Sequence, residues 1–375
     1  MTPDRPLVSI ITPAYNSARF LGTTLASVAA QDYAPLEHIV VDGGSQDRTI
    51  PLLHGSTARW ISEPDRGQSD ALNKGLRLAQ GEIIGWLNAD DTYAAGAVSA
   101  AVAHFLAEPA AGLVFADCDW IDAAGRVLDR WQTRPTTLAD LLLDGCTIPH
   151  QAAFLRREVF ESAGGFDADL RYAMDYDLLL KGLRRFPASR AEGVWGSLRV
   201  WAGTKTHQHQ AAFWPENVRV VERALAWQAV PPAVATEARR RVHLHAGLNA
   251  AWADDDQVAA RELAIACGDG PPFGDWLALG EHVVAACQRP SYLAVSPAEA
   301  ETLLGRVQRV PGLHPELAAH LRLVRAFRAW QRRDWAATRR HAGAALRGSA
   351  RVRRNPGLWS VWMRAWLRPA RTGRP

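Results

Sequence analysis

The sequence GEIIGWLNADDTY (Gly81–Tyr93) joins a near-continuous apolar run to an amide and two adjacent carboxylates. The apolar run predicts a buried strand. Asn88, Asp90 and Asp91 follow at its carboxyl end. Two acids in this position repel each other unless they cap the next helix or hold a cation.

Strands and helices alternate around this stretch. The predicted strands share short apolar or branched runs and are Leu7–Thr12, Leu36–Asp42, Ala58–Ser62 and Ala111–Asp117, besides the run above. The predicted helices share helical spacing and are Ala18–Ala30, Gln68–Gln80 and Ala97–Ala107. Strands separated by single helices form right-handed βαβ units, so the sequence predicts an α/β fold with a mostly parallel, Rossmann-like sheet.

Polar residues gather at the carboxyl ends of the predicted strands, where such a sheet binds its ligand. The first strand ends in TPAYN (Thr12–Asn16), the second at Asp42 and the fourth at Asn88–Asp91. The GxGxxG and GxxxxGK[ST] motifs are missing, which argues against dinucleotide-binding and P-loop proteins. Two acids at a strand end suit Mg²⁺ or Mn²⁺ shared with a diphosphate, and a helix cap is the alternative.

The length and composition indicate a two-domain globular protein. The chain has 375 residues, 48% of them hydrophobic and 22% charged. Its four cysteines form no CxxC pair, so reduced thiols are expected rather than zinc or disulfides. Neither a signal peptide nor a stretch of about 20 apolar residues is present, which favours a cytoplasmic location.

Four blocks together resemble the family-2 inverting glycosyltransferases of GT-A fold, of the soluble single-transfer type. They are VSIITPAYNSARFLGTTLASVAAQDY, HIVVDGGSQDRT, EPDRGQSDALNKGLRLAQGEIIGWLNADD and GGFDADLRYAMDYDLLLKG, and they span roughly residues 6–217. The resemblance implies a metal-dependent hexosyltransferase acting in polysaccharide biosynthesis of the cell envelope. The QxxRW motif of processive synthases is missing, so transfer of one sugar or a few is expected.

The resemblance also implies a donor site. The segment matching TPAYN and the acid matching Asp42 hold the nucleoside, and the DxD-like motif Asn88-Ala89-Asp90 holds ribose and metal-diphosphate. With the residues that precede and open the third helix, the expected nucleotide-binding set is Thr12, Pro13, Ala14, Tyr15, Asp42, Asp65, Arg66, Asp70, Asn88 and Ala89. Asp90 and Asp91 are the expected ligands of Mn²⁺ or Mg²⁺. Asn88 departs from the strict DxD pattern and adds no charge to the metal site. For Asp70, a surface ion pair with Lys74 is the alternative.

The block AMDYDLLLKG implies the catalytic residue, because Asp175 matches the family's general base. Inversion needs one carboxylate to deprotonate the incoming hydroxyl. Asp177 lies about 200° away around a helix, so the two acids face different directions. The alternative makes Asp175 the N-cap of a helix over residues 176–183, and both roles are compatible.

Further residues are expected on the acceptor side and at the metal. His150 and Gln151 stand at a predicted strand start, and Gly165 and Phe166 belong to the GGFD segment. The resemblance implies that these four lie on the acceptor side, and a structural histidine is the alternative for His150. His207 or His209 in THQHQ is a candidate to complete the metal shell, with two solvated histidines as the alternative.

The second half changes character after AWQAVPPAV, and we predict domains over residues 1–225 and 226–375. AAWADDDQVAARELAIA (Ala250–Ala266) echoes RAWQRRDWAATRRHAGAA (Arg328–Ala345). Both place Trp and an acid before Ala-Ala and a helix. The pattern indicates αα-hairpins of loosely tetratricopeptide kind.

The C-terminal segment is strongly basic. From Leu321 to Pro375 it holds fifteen arginines, five tryptophans and one acid, Asp334. A helix over Leu358–Leu367 puts Leu358, Val361, Trp362, Ala365 and Trp366 on one broad face. One hypothesis is contact with an anionic membrane, peripheral to its inner face. The alternative is a folded helical domain with core tryptophans and solvated arginines.

Three functional classes remain open at this stage. The first is an enzyme that transfers sugar from a nucleotide-diphosphate-sugar to a glycan or lipid-linked acceptor. The second is a catalytically inactive nucleotide-sugar-binding scaffold, and intact Asp42, Asp90 and Asp175 argue against it. The third, a nucleotidyltransferase, needs a basic, Gly-rich triphosphate loop that TPAYNSARF lacks. Nucleic acid is not an expected partner, since no known module appears.

Overall fold

The computed structural model describes residues 5–268, 270–288 and 295–367, and side chains are not described for Thr206, His207, Gln210 and Ala211. The chain forms two compact units, Met1–Val234 and Ala235–Pro375. This division falls nine residues after the predicted boundary at 225, inside the first turn of a helix that begins at Pro232.

The first unit contains a sheet and the helices that cover it. Its strands are β1 (Val8–Ala14), β2 (Leu36–Asp42), β3 (Arg59–Ser62), β4 (Ile83–Trp86), β5 (Thr92–Tyr93), β6 (Leu113–Ile121), β7 (Val127–Trp131), β8 (Ala153–Arg156) and β9 (Ala188–Arg199). Its helices are α1 (Leu21–Ala29), α2 (Thr49–His54), α3 (Gln68–Leu78), α4 (Ala97–Ala107), α5 (Leu138–Asp144), α6 (Arg157–Ala163), α7 (Met174–Leu183), α8 (Lys205–Gln208) and α9 (Gln210–Leu225).

The strands of the described chain form one sheet in the order β3-β2-β1-β4-β8-β6-β9-β5, with β7 added beside β6. Strands β1 to β4 pair in parallel, as do β6 and β9, whereas β5, β7 and β8 run antiparallel to their neighbours. The predicted α/β class with a mostly parallel sheet is confirmed. The antiparallel strand β8 connects the parallel strands β1 to β4 with β6 and the strands beyond it.

Parallel pairing brings the polar strand ends together. In the register of β1 and β2, Ala14 lies opposite Asp42, and Asp42 in turn lies opposite Ser62 of β3. The Leu87 amide donates to the Ile11 carbonyl at 3.0 Å, so the chain after β4 reaches the same edge. Fully buried Ile10, Ile83 and Phe154 belong to the core below this edge.

Two local predictions differ from the structure. Asp175 lies inside the first turn of α7, and the cap position belongs to Ala173, which makes no side-chain capping bond. His150 and Gln151 form a 3-10 turn (His150–Ala152) before β8 rather than the start of the strand. Pro149 precedes this turn, and the strand begins only at Ala153, after the turn has ended.

The second unit consists of helices in the part that the structure describes. They are α10 (Pro232–Trp252), α11 (Asp256–Cys267), α12 (Trp276–Gln288), α13 (Pro297–Arg309), α14 (Pro315–Gln331), α15 (Trp335–Gly348), α16 (Ala350–Arg353) and α17 (Pro356–Trp366). No helix of the described ranges is long and apolar enough to cross a bilayer.

The two sequence echoes adopt the same turn. Asp255 caps α11 by accepting from the Val258 amide at 3.1 Å, and Asp334 caps α15 by accepting from the Ala337 amide at 2.9 Å. The residue before each cap has a φ of 60°, in the left-handed region. The predicted αα-hairpins are therefore present at both positions, whereas a tetratricopeptide relationship stays a prediction.

Helix α17 uses much of its predicted apolar face for packing. Leu358 and Ala365 are fully buried, and Trp362 packs against the same cluster of α14 and α15 residues. Trp359, Met363 and Trp366 remain 40%, 56% and 62% exposed. Trp362 therefore packs against the core, as the interpretation of a folded helical domain predicts. Trp359, Met363 and Trp366 form a second apolar strip that faces solvent.

Candidate active site

The end of β1 offers one exposed aromatic ring. Thr12 is buried and its hydroxyl lies 3.0 Å from His38 Nε2, so this side chain is not available to a ligand. Burial lowers the pKa of His38 to about 4 and keeps it neutral. Pro13 and Ala14 are buried as well, whereas Tyr15 is 63% exposed. Of these predicted nucleoside contacts, only the Tyr15 side chain is open to a ligand.

Asp42 holds the loop that follows β2. Its carboxylate is fully buried and accepts from the amides of Gly44 and Ser45 at 3.0 and 2.9 Å and from the Ser62 hydroxyl at 2.7 Å. The Ser45 hydroxyl bonds its other oxygen. In this geometry the Asp42 carboxylate is occupied by the loop, and its contact with a nucleoside stays a prediction.

Asp65 lies next to the same loop. Its carboxylate occupies the space above Gly43, where an added Cβ would be 2.5 Å from Oδ2. Its other oxygen accepts from the Gly67 amide at 2.8 Å. Asp65 is half-buried, and its carboxylate is more accessible than that of the fully buried Asp42.

The ion pair between Asp70 and Lys74, the alternative to nucleotide binding by Asp70, does not form. Asp70 accepts from the Arg66 amide at 3.1 Å and lies 3.9 Å from its guanidinium, whereas Lys74 pairs with Glu63 at 2.8 Å. Arg66 is 77% exposed and free to meet a ligand. Asp70 stabilises the start of α3, where an acid is favoured.

Asn88 stands at the centre of a polar network. Its carbonyl oxygen accepts from Gln68 Nε2 at 2.7 Å. Its amide nitrogen donates to Asp91 Oδ2 at 3.3 Å and approaches His150 Nε2 at 3.1 Å. The neighbouring Ala89 is buried in a small apolar cluster with Ala14. Asn88 is thus positioned by its neighbours at the edge where the parallel strands end.

Asp91 is buried, and both of its carboxylate oxygens accept hydrogen bonds within the protein. Oδ1 accepts from the Arg199 amide at 2.9 Å, and Oδ2 accepts from Gln151 Nε2 at 3.0 Å. Burial, and then the adjacent Asp90, raise the pKa of Asp91 to about 7. The predicted metal role therefore loses support for Asp91, because both oxygens are already committed within the protein.

The Asp90 carboxylate has a single side-chain hydrogen bond among the described residues. Oδ2 accepts from Trp201 Nε1 at 3.2 Å, and the Asp90 carbonyl accepts from Arg199 Nε at 2.8 Å. Burial raises the pKa of Asp90, while Trp201 and Arg199 lower it. Asp90 is the acid of the pair that remains available for a cation.

The residues present fit a divalent cation held by one protein carboxylate. The described residues contain no group of three His, Cys, Asp or Glu side chains arranged around a metal position. Mg²⁺ and Mn²⁺ are often held by one or two carboxylates together with substrate phosphates and water. Asp90 with a diphosphate satisfies that requirement. The side chain of His207 lies outside the described residues, and the ring of His209 lies beside Tyr172 at 6.1 Å.

Asp175 is a partly exposed carboxylate at the start of α7. Its side chain is 30% exposed, and Oδ1 accepts from the Tyr176 amide at 2.8 Å. Asp177 is buried and bonded to Lys181 and Arg223, and Arg223 also holds Asp167. Asp175 is therefore the acid of these three that is not held by an ion pair to Lys or Arg.

His150 connects Asp175 to the network around Asn88. The ring stacks on Trp86 at 5.2 Å with an interplanar angle of 3°. Because the Asn88 amide donates to Nε2, a neutral ring carries its proton on Nδ1, which lies 3.7 Å from Asp175 Oδ2. His150 is thus placed between the strand end and the candidate base.

The other predicted acceptor-side residues have structural contacts. Gln151 is 2% exposed and bonds Asp91. Phe166 is 3% exposed and packs edge-on against Trp86 at 5.3 Å. Gly165 has a φ of 78°, and an added Cβ would approach Asn73 Oδ1 to 2.6 Å. These three residues make structural contacts, and their role on the acceptor side stays a prediction.

Lys205 and Glu216 complete the site and were not predicted. Lys205 Nζ donates to Gln68 Oε1 at 2.7 Å and to the Arg171 carbonyl at 2.9 Å. Burial lowers its pKa, and Asp175 is the largest charge acting against that effect. Glu216 accepts from the amides of Arg171, Tyr172 and Ala173, directly before α7. Both residues follow the recognisable blocks, in a stretch where no local pattern marks them.

The sequence profile of Glycosyl transferase family 2 matches residues 9–164. An uncharacterised glycosyltransferase of Mycobacterium tuberculosis is 34% identical over 185 residues, covering 47% of this chain and 68% of that protein. The chondroitin synthase of Escherichia coli is 30% identical over 181 residues, which is 26% of its length.

Solved structures share the fold. The TarS fragment 1–349 of S. aureus with UDP-GlcNAc has a TM-score of 0.58 at 16% identity, covering 84% of this chain and 91% of that one. The mannosyltransferase PcManGT from Pyrobaculum calidifontis, solved with GDP-Man and Mn²⁺, has a TM-score of 0.50 at 24% identity, with coverages of 81% and 86%. Together with the profile match and the mycobacterial relative, these likenesses establish that the chain belongs to glycosyltransferase family 2 and has a GT-A-like fold.

Proposed function

We propose that this chain transfers one glycosyl residue, with inversion, from a nucleotide-diphosphate-sugar to a hydroxyl of a glycan or lipid-linked acceptor. The observation that carries the proposal is a continuous polar path across the site. It runs from Lys205 through Gln68, Asn88 and His150 to Asp175, with contacts of 2.7, 2.7, 3.1 and 3.7 Å. The Lys205 end is cationic and can bind a diphosphate. The Asp175 end is a carboxylate that can accept a proton.

On the donor side, we assign the nucleoside to the ends of β1 to β3. Tyr15 presents an exposed ring that can stack on a base, and Asp65 presents the accessible acid beside Gly43. A carboxylate accepts hydrogen bonds from the N–H edge of a pyrimidine or guanine. Asp65 therefore replaces Asp42 as our proposed base-reading residue, while Asp42 shapes the loop.

On the acceptor side, Asp175 is the proposed general base. Its carboxylate takes the proton of the attacking hydroxyl while the oxygen forms a bond to the anomeric carbon and the nucleoside diphosphate leaves from the opposite face. This single displacement inverts the anomeric configuration. Asp175 lies in the first turn of α7, with its carboxylate 30% exposed and so open to an acceptor.

A divalent cation, when bound at Asp90, supplies positive charge next to the departing diphosphate. The chain contributes a second cation in Lys205. Its ammonium group is held by Gln68 and by the Arg171 carbonyl, so it is positioned before the donor arrives.

Lys205→Met should weaken binding of a nucleoside diphosphate about tenfold or more, since bonds to charged groups contribute about 1.5–3 kcal/mol. Binding of the unphosphorylated nucleoside should change little. Calorimetry of both ligands tests this. Lys181→Met is the matched control, because Lys181 pairs with Asp177 and makes none of the proposed donor contacts, so both affinities should stay unchanged. Equal losses for nucleoside and diphosphate would point to a structural role instead.

The broad function is tested by a thermal-shift screen of the full chain. Nucleoside diphosphates and nucleotide-sugars are compared with and without Mn²⁺, because a ligand that binds the folded state raises the melting temperature. We expect at least one nucleotide-sugar to stabilise the chain more strongly with Mn²⁺. Absence of a shift with every donor would contradict the proposal. Binding without release of nucleoside diphosphate to any acceptor would favour the inactive scaffold.

We also propose that helix α17 contacts an anionic membrane surface, where a lipid-linked acceptor would lie. Trp359, Met363, Trp366 and Leu367 form an exposed apolar strip in a segment with a large excess of arginine. Such helices bind anionic lipid, and each basic residue near the surface contributes about 1 kcal/mol.

Flotation with phosphatidylcholine vesicles, with and without phosphatidylglycerol, tests the membrane proposal. The full chain should float only with the anionic vesicles. Replacing Met363, Trp366 and Leu367 by Ser should abolish flotation while the buried Leu358 and Ala365 still hold the helix. A wild-type chain that stays unbound with anionic vesicles at low salt would end this proposal.

A further inference from the structure

The helical unit contains a cleft lined by arginines of α14 and α15. Two adjoining cavities, of about 450 and 200 Å³, share Glu301, Arg328 and Arg332 in their linings. The larger one has an apolar floor that includes Val284, Cys287, Ala300 and Leu304. The smaller one adds Arg325 and Arg340, together with His341 and Asp334. The cleft thus combines an apolar floor with a cationic rim.

The arginines on α14 form one stripe. Arg325, Arg328 and Arg332 are separated by three and four residues, so their side chains project from one face of the helix and its end. Like charges at such spacing destabilise a helix. Helix formation and packing therefore do not explain why three arginines stand on this face.

The acids near the stripe do not neutralise it. Glu301 pairs with Arg325, whose guanidinium also donates to Gln308 Oε1 at 2.7 Å. Asp334 uses its carboxylate to cap α15. Among the described residues, Arg328, Arg332 and Arg340 have no ion pair and no side-chain hydrogen bond. Within the described chain none of these three guanidinium groups has a direct ion-pair or hydrogen-bond partner, and Glu281 and Glu301 act on Arg328 only from a greater distance.

The arginines of the cleft lower the pKa values of two neighbouring groups. The pKa of His341 is lowered to about 4, first by burial and then by Arg325 and Arg340, so this ring is neutral at pH 7. The pKa of Arg328 is lowered first by burial and then by Arg332, while Glu281 and Glu301 act in the opposite direction. The facing arginines therefore add to the effect of burial at both positions.

We propose that this cleft binds a phosphate group carried by a small saccharide. Guanidinium groups match phosphate oxygens with paired hydrogen bonds, and a bound phosphate would partner the three unpaired arginines. The larger cavity is within the range of small-molecule sites, about 300–1,000 Å³, and its apolar floor can face the C–H groups of a sugar. The site is independent of the proposed transfer reaction.

Binding to the full chain tests this proposal with glucose 1-phosphate, glucose and inorganic phosphate as probes. EDTA is present, ionic strength is held constant with NaCl, and calorimetry and melting temperature are the readouts. Glucose 1-phosphate should raise the melting temperature with concentration, inorganic phosphate should do so less, and glucose should have no effect. A chain that shows no shift with glucose 1-phosphate would overturn the proposal.

Paired variants locate the binding. Arg328→Gln with Arg332→Gln should lower the affinity for glucose 1-phosphate at least about tenfold, as expected for loss of charged hydrogen bonds. Arg351→Gln with Arg354→Gln removes the same charge from exposed positions outside the cleft lining and should keep the affinity. If the first pair does not fold, Arg332→Glu at the exposed rim should give the same loss. Equal affinity in wild type and cleft variants would overturn the proposal.

Discussion

Asp175→Asn should lower the rate of sugar transfer at least about 10²-fold while donor affinity stays within a factor of a few. An amide keeps the size of the side chain but does not accept the proton of the incoming hydroxyl, and general-base catalysis contributes about 10²–10⁴-fold. Initial rates under donor saturation, with donor affinity measured separately by calorimetry, give the two quantities.

An acid of the loop before α7 serves as the control for Asp175. Asp169 is exposed, and its replacement by Asn should leave the rate unchanged. Near-normal transfer by a folded Asp175→Asn variant would contradict the assignment. Asp167 and Asp177 are poorer candidates for the general base, because Arg223 forms ion pairs with both carboxylates.

Asp90→Ala should remove the gain in nucleoside diphosphate affinity that Mn²⁺ brings to the wild type. We expect a loss of at least about tenfold, because even the outer partners of metal ligands contribute about 10–100-fold to metal affinity. Asn88→Ala should be milder, since this amide contributes no charge. Calorimetry with Mn²⁺ and with EDTA separates the cation-dependent part for each variant.

Acidification should weaken the same cation-dependent binding. Burial raises the pKa of Asp90, so its carboxylate takes up a proton at a higher pH than an ordinary aspartate and then no longer binds the cation. Unchanged Mn²⁺-dependent affinity in a folded Asp90→Ala variant would show that the cation is held elsewhere.

Local patterns were sufficient for the framework of the fold. The predicted bounds of β2 (Leu36–Asp42) and α4 (Ala97–Ala107) coincide with the observed ones. Continuous apolar runs and helical spacing are properties of neighbouring residues, so one sequence contains them. The same patterns predicted that polar strand ends would meet at one edge, because parallel pairing makes this a consequence of topology.

Sequence patterns did not predict the orientation of individual side chains. Asp42 and Asp91 read as ligand-binding acids from their positions, yet both are buried by loops and strands that close over them. For Asp91 the decisive donors are Gln151 and the Arg199 amide, which follow 60 and 108 residues later. Lys205 and Glu216 entered the site in the same way, through tertiary contacts that no short motif encodes.

The configuration of the first product tests the central claim most directly. The wild-type chain is incubated with Mn²⁺ and the α-linked nucleotide-sugar that stabilises it best, and proton NMR follows the anomeric signal before mutarotation, with water or a simple glycoside as acceptor. The account predicts a β-configured initial product, released together with nucleoside diphosphate and suppressed in Asp175→Asn. An α-configured initial product, or equal turnover by Asp175→Asn, would contradict it.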